Sequence, residues 1–392
     1  MKFDKIIKNS ISLEFSSLAK KKNLKKENII SFGLGEPYFK PPKKLNTLIN
    51  NAINNGYNRY SHPNGLVELR KFLSKRYETN LNNFVITAGA KPALSIILNA
   101  ILDKKDEAII FNPNYPSYKS QIKIAEITTK IHEINLDQDF KINFDVMESI
   151  INQKTKVIII NSPHNPTGNV LNKQELNKLL KLANKFNFYI IYDGVYNELK
   201  YKEDLNKMII KSKKIIYLSS FSKTLGITGW RIGYLHSKDK KIIDMISFIQ
   251  KQTNTNTNTF LQKAIADYFE KPNLFIKNFK NQLEKRSEYM EKSFKSVKKI
   301  KYIKPRGGFF AFININKMKI KSDKFAFLLL KDKNVAVTPG IVFGKNWDNY
   351  IRICFAVSNK EFIKGIKKLK KFIDENKKKN INCKRIKSPK YK

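Results

Sequence analysis

One lysine in this sequence stands among residues that could give it a chemical role. The stretch from Leu218 to Tyr234 presents Lys223 after an apolar, β-branched run and continues to Arg231. The hydroxyls of Ser220 and Ser222 and the guanidinium of Arg231 could together bind a phosphate. An amine held beside such a group can form a Schiff base with a carbonyl cofactor. The alternative is one more solvated surface charge, in a chain with 76 lysines and arginines.

The elements around this lysine have the pattern of a parallel sheet. From residue 83 onwards, apolar strand candidates alternate with polar loops and helical segments, which is typical of a sheet covered by helices. Because open parallel sheets bind ligands at the carboxyl ends of their strands, side chains that follow successive strands should lie together. The predicted strands are 84–87, 107–111, 157–160, 188–192 and 215–218, with an antiparallel strand at 232–235.

The lysine stretch resembles the signature of a known enzyme family. Residues Ser220 to Gly233 match Ser-x-Ser-Lys followed by Gly-Trp-Arg-x-Gly, as in class I/II pyridoxal-phosphate-dependent aminotransferases. The resemblance extends from Gly33 to Val357. It implies the fold type I architecture of aspartate aminotransferase-like enzymes: an α/β fold with a mostly parallel central sheet, helices on both faces and a smaller α+β domain. It also implies pyridoxal 5'-phosphate as the cofactor and Lys223 as the catalytic residue.

Three polar residues at strand ends would contact the cofactor ring. Asp193 ends an apolar strand, where a carboxylate is costly unless it meets a cation such as a protonated pyridine nitrogen. A cap on the following segment is the plainer interpretation of this aspartate. Tyr196 can reach the phenolic oxygen of the same ring, and Asn165, in a loop fixed by two prolines, has the family role of donating to that oxygen next to the substrate. We interpret His164 as a residue that packs in this turn.

Further site residues follow from the resemblance. A glycine-containing turn matches the family's phosphate loop, with Ala90 and Lys91 as backbone donors at a helix N-terminus. Tyr115 occupies the ring-stacking position, although core packing is an alternative. Gly35 matches the glycine whose backbone approaches the substrate carboxylate, and Arg352 matches the arginine that binds this carboxylate through two prongs. A domain-joining turn and a surface-edge arginine are the plainer interpretations of these two residues.

One predicted cofactor residue would come from a second chain. Tyr60 matches the family tyrosine that reaches across a dimer interface to the partner's cofactor phosphate. The resemblance therefore implies a homodimer with composite active sites. The polar run 252–259 corresponds to a family loop that lines the neighbouring subunit's site, although its alternating Thr and Asn could also be low-complexity sequence.

The composition is that of a globular protein with an unusual charge. The formal net charge is +43, and such a field would attract nucleic acid or another polyanion. Because lysines are spread over the whole chain, we interpret the charge as compositional drift and expect no nucleic-acid partner. Two cysteines, Cys354 and Cys383, cannot build a disulfide framework or a zinc cluster, and we predict no metal site. No apolar run is long enough to span a membrane, so we expect a cytoplasmic protein.

The sequence also predicts how the chain divides. Residues 1–44 are expected to join the small domain, and residues 45–285 to form the large cofactor-binding domain. Residues 286–392 are expected to form a small C-terminal α+β domain with a basic tail.

The predicted activity is transfer of the amino group of an L-amino acid to a 2-oxo acid by a ping-pong mechanism. Aspartate with 2-oxoglutarate is the first substrate pair to test, and aromatic amino acids come next. One alternative is a pyridoxal-phosphate-dependent C–S β-lyase, which shares the lysine, the aspartate and the asparagine. An alternative of another class is a basic nucleic-acid-binding protein.

Overall fold

A computed structural model of the chain describes residues 28–202, 205–271 and 274–375. The strands are β1 Ile30–Ser31, β2 Phe84–Thr87, β3 Glu107–Asn112, β4 Lys130–Asn135, β5 Thr155–Asn161, β6 Tyr189–Asp193, β7 Ile215–Ser220, β8 Gly233–Ser237, β9 Phe310–Asn314, β10 Val335–Ala336, β11 Thr338–Pro339 and β12 Tyr350–Cys354. The helices are α1 Lys43–Asn54, α2 Val67–Tyr77, α3 Ala90–Ile101, α4 Ser117–Ala125, α5 Phe144–Ile150, α6 Lys173–Phe186, α7 Asn206–Lys211, α8 Lys240–Asn254, α9 Thr259–Phe269, α10 Phe275–Phe294, α11 Ser322–Lys333 and α12 Asn359–Glu375. Cys383 and the basic tail lie outside the described residues.

Seven strands form the central sheet, in the order β2-β8-β7-β6-β5-β3-β4. The pairs from β7 to β4 are parallel, whereas β8 is antiparallel to both β7 and β2. This reversal was predicted, because the connection from β7 to β8 is too short for a helical crossover. The predicted architecture, a mostly parallel sheet within an α/β fold, is confirmed.

The inner strands are apolar because both faces of the sheet are covered. Every residue of β3 and β7 is buried, as expected for a parallel sheet packed between two layers of helices. Two hydrophobic clusters lie on the two faces, one with Ile158 and Ile190 and the other with Val157 and Ile191. The alternation of neighbouring residues between the clusters is the two-residue period of a strand.

A second group of elements surrounds a separate hydrophobic cluster. The antiparallel sheet β11-β12-β9 and the parallel pair β1-β10 contribute to this cluster. Residues 335–339 contain two short strands, because Val335–Ala336 pairs with β1 whereas Thr338–Pro339 pairs with β12. Helix α10 contributes Phe279 and Met290 to the same cluster. The domain boundaries at residues 45 and 286 stay predictions.

The polar run at 252–259 is helical at its start. Helix α8 continues to Asn254, and α9 begins at Thr259, so the connecting loop is shorter than predicted. The buried Gln250 side chain donates to the Ile86 carbonyl at 3.1 Å and fixes this end of α8 on the sheet. Within the described ranges, no helix combines the length and the apolar character that crossing a bilayer requires.

Candidate active site

The carboxyl ends of β5, β6 and β7 open into a cavity of about 500 Å³. The predicted site residues other than Tyr60 all line it. They come from distant parts of the sequence and meet because parallel strands end at the same edge of the sheet. These residues are Gly35, Ala90, Lys91, Tyr115, Asn165, Asp193, Tyr196, Ser220, Ser222, Lys223, Arg231 and Arg352.

One end of the cavity is built for an anion. Helix α3 begins at Ala90, directly after Gly89, whose φ of +94° is a conformation that favours glycine. The Arg231 guanidinium lies so close that a β-carbon at Gly89 would be 2.7 Å from its Nη2 atom. The hydroxyl-bearing residues Ser220 and Ser222 line the same cavity. A helix N-terminus, a guanidinium and two hydroxyls together suit a phosphate.

The Asp193 carboxylate lies in the interior of the site. Its Oδ2 accepts a hydrogen bond from the Tyr118 hydroxyl at 2.7 Å, and its Oδ1 accepts one from the Val195 N–H at 3.2 Å. The Asn161 amide donates to the Asp193 backbone carbonyl at 3.0 Å. Burial raises the pKa of Asp193 to about 6, and the two hydrogen bonds oppose this rise. A buried acid of this kind is stabilised in its charged form by a cationic partner.

Lys223 presents a half-buried amine at the start of the loop after β7. Its Nζ donates to the Gly35 carbonyl at 2.8 Å. Burial lowers the pKa of Lys223, and the charges of Arg231 and Arg352 add to this effect, whereas Glu36 opposes it. The uncharged, nucleophilic form of the amine is therefore more accessible than in an exposed lysine.

Arg352 projects from β12 into the cavity without a carboxylate partner among the hydrogen bonds of its guanidinium. Its Nη1 donates to Asn165 Oδ1 at 3.1 Å, and its Nη2 donates to the Gly33 carbonyl at 2.7 Å and to Thr338 Oγ1 at 3.0 Å. Its Nε atom is buried and has no hydrogen-bond partner among the described residues. The Phe310 ring lies 4.5 Å from the guanidinium carbon. A desolvated guanidinium with an unused donor is suited to binding a carboxylate.

Comparison with known proteins decides the family. The sequence profile described as "Aminotransferase class I and II" matches residues 27–369. The chain belongs to this aminotransferase family. The aspartate aminotransferase of Thermotoga maritima is 33% identical over 377 residues, which cover 93% of this chain and 97% of that protein.

Solved structures agree with this assignment. The crystal structure of the Thermotoga maritima aspartate aminotransferase matches with a TM-score of 0.87 and 30% identity, covering 95% of this chain and 99% of that chain. The structure of an aromatic aminotransferase from Pyrococcus horikoshii matches with a TM-score of 0.84 and 27% identity, covering 92% and 99% of the two chains. The protein is a pyridoxal-phosphate-dependent aminotransferase, as predicted.

The residues of this aminotransferase fit the cofactor. The site offers an end suited to an anion at Gly89 and Arg231, a buried acid at Asp193 and a half-buried amine of lowered pKa at Lys223. These are the groups needed for a phosphate, a protonated ring nitrogen and an aldehyde, respectively. The partnerless Nε of Arg352 leaves a donor for a substrate carboxylate.

The aminotransferase site includes residues that sequence reasoning missed. Tyr118 and Asn161 hold Asp193, and Thr228 and Phe310 line the cavity. Asn161 could have been found, because it ends a predicted strand as Asp193 does. Tyr118 lies three residues after Tyr115, which is one helical turn. The hydroxyl of Thr228 also donates to the Glu36 carboxylate, a contact between distant loops that the sequence does not indicate.

Two residues behave as packed side chains in the aminotransferase. His164 is half-buried, with Nδ1 at 2.8 Å from Thr167 Oγ1, and desolvation lowers its pKa to about 4. The imidazole is therefore neutral at physiological pH, in agreement with a turn-packing role. Cys354 is fully buried on β12 and is a packed side chain.

Tyr60 lies outside the active-site cavity of its own chain. Its side chain is 85% exposed. It lines a separate surface depression together with Asn256, Asn258 and Phe260. The Thr259 hydroxyl donates to the Arg59 carbonyl at 2.9 Å and joins the two loops. The Tyr60 loop and the polar loop before α9 therefore share one surface.

Proposed function

We propose that this aminotransferase takes aspartate as its amino donor and 2-oxoglutarate as its acceptor. The charges of the cavity carry this proposal. Its lining contains four cations, Lys91, Lys223, Arg231 and Arg352, and a single acid, Asp193, among the described residues. Such an excess of positive charge favours substrates with more than one carboxylate. The curated relative from Thermotoga maritima, named an aspartate aminotransferase, supports the same choice.

Lys91 is the cation that a second substrate carboxylate would use. Arg231 belongs to the phosphate end, Lys223 supplies the amine, and Arg352 suits the α-carboxylate. The Lys91 ammonium remains, and it lies 5.7 Å from the centre of the Tyr115 ring.

The cofactor would be held at its phosphate, its ring nitrogen, its ring oxygen and the face of its ring. The backbone N–H groups of Ala90 and Lys91, with the side chains of Ser220, Ser222 and Arg231, would bind its phosphate. Asp193 would keep the ring nitrogen protonated from one side of the ring. Asn165 and Tyr196 would contact the ring oxygen, and Tyr115 would stack on the ring. When bound, the cofactor withdraws the electrons of the substrate Cα–H bond.

The protein residues then orient the substrate and move its proton. Arg352 would bind the α-carboxylate, with the Gly35 backbone nearby, and this fixes which bond at Cα is aligned for cleavage. The Lys223 amine, released when the amino acid takes its place, would accept the Cα proton and return it to the carbon at the other end of the conjugated system. Its lowered pKa suits both steps, because the neutral amine is available to accept the proton and the resulting ammonium donates it more readily.

The variant Lys91→Met tests this proposal through its preference among amino donors. We expect kcat/KM for aspartate to fall about tenfold to a hundredfold, because one charge-assisted contact is lost. The kcat/KM for alanine should stay within about threefold of the wild-type value, because alanine has no second carboxylate. Cofactor affinity should also persist, since the backbone N–H at position 91 remains. An equal loss for both donors would refute the role of Lys91 in choosing aspartate.

Aromatic amino acids are the second candidate substrates. Leu34, Tyr115 and Phe310 give the same cavity an apolar side. Each amino donor is added to the holoenzyme without an oxo acid, and the absorbance change of the cofactor is measured. A panel of donors tested in this way ranks aspartate against phenylalanine and tyrosine. Pyruvate release from cystathionine without an oxo acid would instead indicate the β-lyase.

We also propose that the enzyme is a homodimer in which Tyr60 contacts the cofactor phosphate of the partner subunit. The high exposure of Tyr60 and its position beside the polar loop before α9 support this proposal. The division into residues 1–44, 45–285 and 286–392 and a cytoplasmic location are proposed on the sequence. The nucleic-acid alternative has no supporting observation among the described residues.

A further inference from the structure

The turn after β3 carries two tyrosines with different partners. Tyr115 lines the cavity, and Tyr118, on the first turn of α4, directs its hydroxyl to Asp193. The two rings meet edge to face, with centroids 5.6 Å apart and an angle of 80° between their planes. The Tyr118 side chain is 3% exposed. Its hydroxyl therefore has a fixed direction.

The carboxylate of Asp193 is held from two elements. The Tyr118 hydroxyl, on α4, reaches Oδ2 at 2.7 Å. The Val195 N–H, just beyond β6, reaches Oδ1 at 3.2 Å. The shorter contact comes from the side chain, and it joins the acid to the helix that follows Tyr115. A change at Tyr118 would therefore alter both the direction and the charge of the Asp193 carboxylate.

The charge state of Asp193 is balanced between burial and hydrogen bonding. Burial raises the pKa of Asp193 to about 6, and the Tyr118 hydrogen bond is the first effect that opposes it. The other titratable group that faces Asp193 is Tyr196, just beyond β6. Burial raises the pKa of both tyrosines well above the ordinary value, so both remain neutral donors near physiological pH.

We propose that Tyr118 is a positioning residue whose hydroxyl keeps the Asp193 carboxylate charged and aimed at the cofactor ring nitrogen. The inference rests on the role proposed above for Asp193. Without the hydroxyl, a buried carboxylate loses a donor and takes up a proton more readily. A neutral acid stabilises a protonated ring nitrogen less than a carboxylate does, and the ring then withdraws electrons less strongly.

The variant Tyr118→Phe removes the hydroxyl and keeps the ring. In the cofactor-free protein, infrared titration follows the carboxyl band of Asp193, identified by its loss in Asp193→Asn. We expect the midpoint to rise by about one to two pH units. In the holoenzyme, kcat for aspartate should fall about tenfold while KM stays within about twofold.

A matched control is Tyr234→Phe. It removes a buried hydroxyl that lies 2.7 Å from the Tyr77 hydroxyl, away from the residues that line the cavity. This variant should leave the Asp193 midpoint and kcat unchanged. A second test places 3-fluorotyrosine at position 118, where a more acidic phenol donates more strongly and should lower the midpoint. This test keeps the full ring and does not depend on the stability of Tyr118→Phe.

The outcomes separate this inference from the function on which it rests. A midpoint in Tyr118→Phe within about 0.3 pH unit of wild type would overturn the inference. An equal rise in Tyr234→Phe would overturn it as well, because the effect would not be specific to Tyr118. Full turnover in Asp193→Asn would instead remove the role proposed for Asp193, whatever the titration of Tyr118→Phe shows.

Discussion

The transamination proposed for this site depends on the side-chain amine of Lys223. Burial lowers the pKa of Lys223, and Arg231 and Arg352 act in the same direction, whereas Glu36 opposes them. An exposed lysine has a pKa of about 10.4 and is almost entirely charged at neutral pH. The folded site therefore supplies more of the reactive form than the side chain would have in water.

Replacing this amine should abolish the reaction. We expect Lys223→Ala to lose turnover by about a thousandfold or more, because the general acid and base is removed. The cofactor should also leave on dialysis, since no covalent bond holds it. Steady-state rates and the absorbance of dialysed protein measure both effects. Lys213→Ala changes an exposed lysine just before β7 and should alter neither. Normal turnover in Lys223→Ala would refute the assignment.

The buried carboxyl of Asp193 should lower the free energy of unfolding at neutral pH when no cofactor is bound. The pKa of Asp193 is about 6 in the folded chain against an ordinary value of 3.8. The folded state therefore binds the proton more tightly, and the free energy of unfolding falls as pH rises from about 4 to about 6. Asp193→Asn removes this ionisation. We expect it to stabilise the cofactor-free protein by about 3 kcal/mol at pH 8 but by only about 0.5 kcal/mol at pH 4.

Denaturant unfolding of the cofactor-free protein at the two pH values measures this difference. The wild-type curve should shift with pH, and the curve of the variant should shift less. A gain that is equal at pH 4 and pH 8 would show that ionisation of Asp193 is not its cause.

At the scale of elements, the start of α3 is where the proposed phosphate binding would depend on the backbone. Gly89 has a φ of +94°, and a β-carbon there would meet the Arg231 guanidinium at 2.7 Å. Gly56 has a similar φ of +82°, but a β-carbon there would have open space. The two glycines therefore separate backbone strain from displacement of Arg231.

We expect Gly89→Ala to weaken cofactor binding about tenfold or more, because the guanidinium must move away from the phosphate end. Gly56→Ala should lose about 1 kcal/mol of stability and keep its cofactor affinity. Titration of the cofactor-free variants with pyridoxal phosphate, followed by absorbance, measures the difference. Equal affinities in the two variants would contradict the proposed role of the turn.

Elements with strong local patterns could be predicted from the sequence. Strand β2 was predicted with its observed limits, and β5, β6 and β7 within two residues at each end. Continuous apolar runs identify buried strands. The same rule placed Asn165, Asp193 and Lys223 at one edge of the sheet. The family resemblance was needed to give them roles.

Other features depend on contacts that local sequence does not encode. The edge strand β4 has one buried residue among six and is mostly polar, so it lacks the apolar run of its neighbours. The contact between Tyr118 and Asp193 joins residues 75 positions apart. Its geometry depends on how α4 packs against the sheet. The split between β10 and β11 depends on pairing with two different strands.

At the scale of the whole molecule, Tyr60 could contribute to the active site of its own chain or to that of a second subunit. Its side chain is 85% exposed and lies outside the cavity of its own chain. If the homodimer has composite sites, Tyr60 of one subunit completes the phosphate end of the other. Mutations of Tyr60 and Lys223 in separate subunits should then complement each other.

We expect a purified heterodimer of a Tyr60→Ala subunit and a Lys223→Ala subunit to show about half of the wild-type activity. The site of the first subunit keeps Lys223 and receives an intact Tyr60 from the second, whereas the other site lacks both side chains. Co-expression with two different affinity tags isolates this species, and each mutant homodimer serves as a control with much lower activity. If Tyr60 acted within its own chain, the heterodimer would contain no intact site, and its activity would not exceed the mean of the two homodimers.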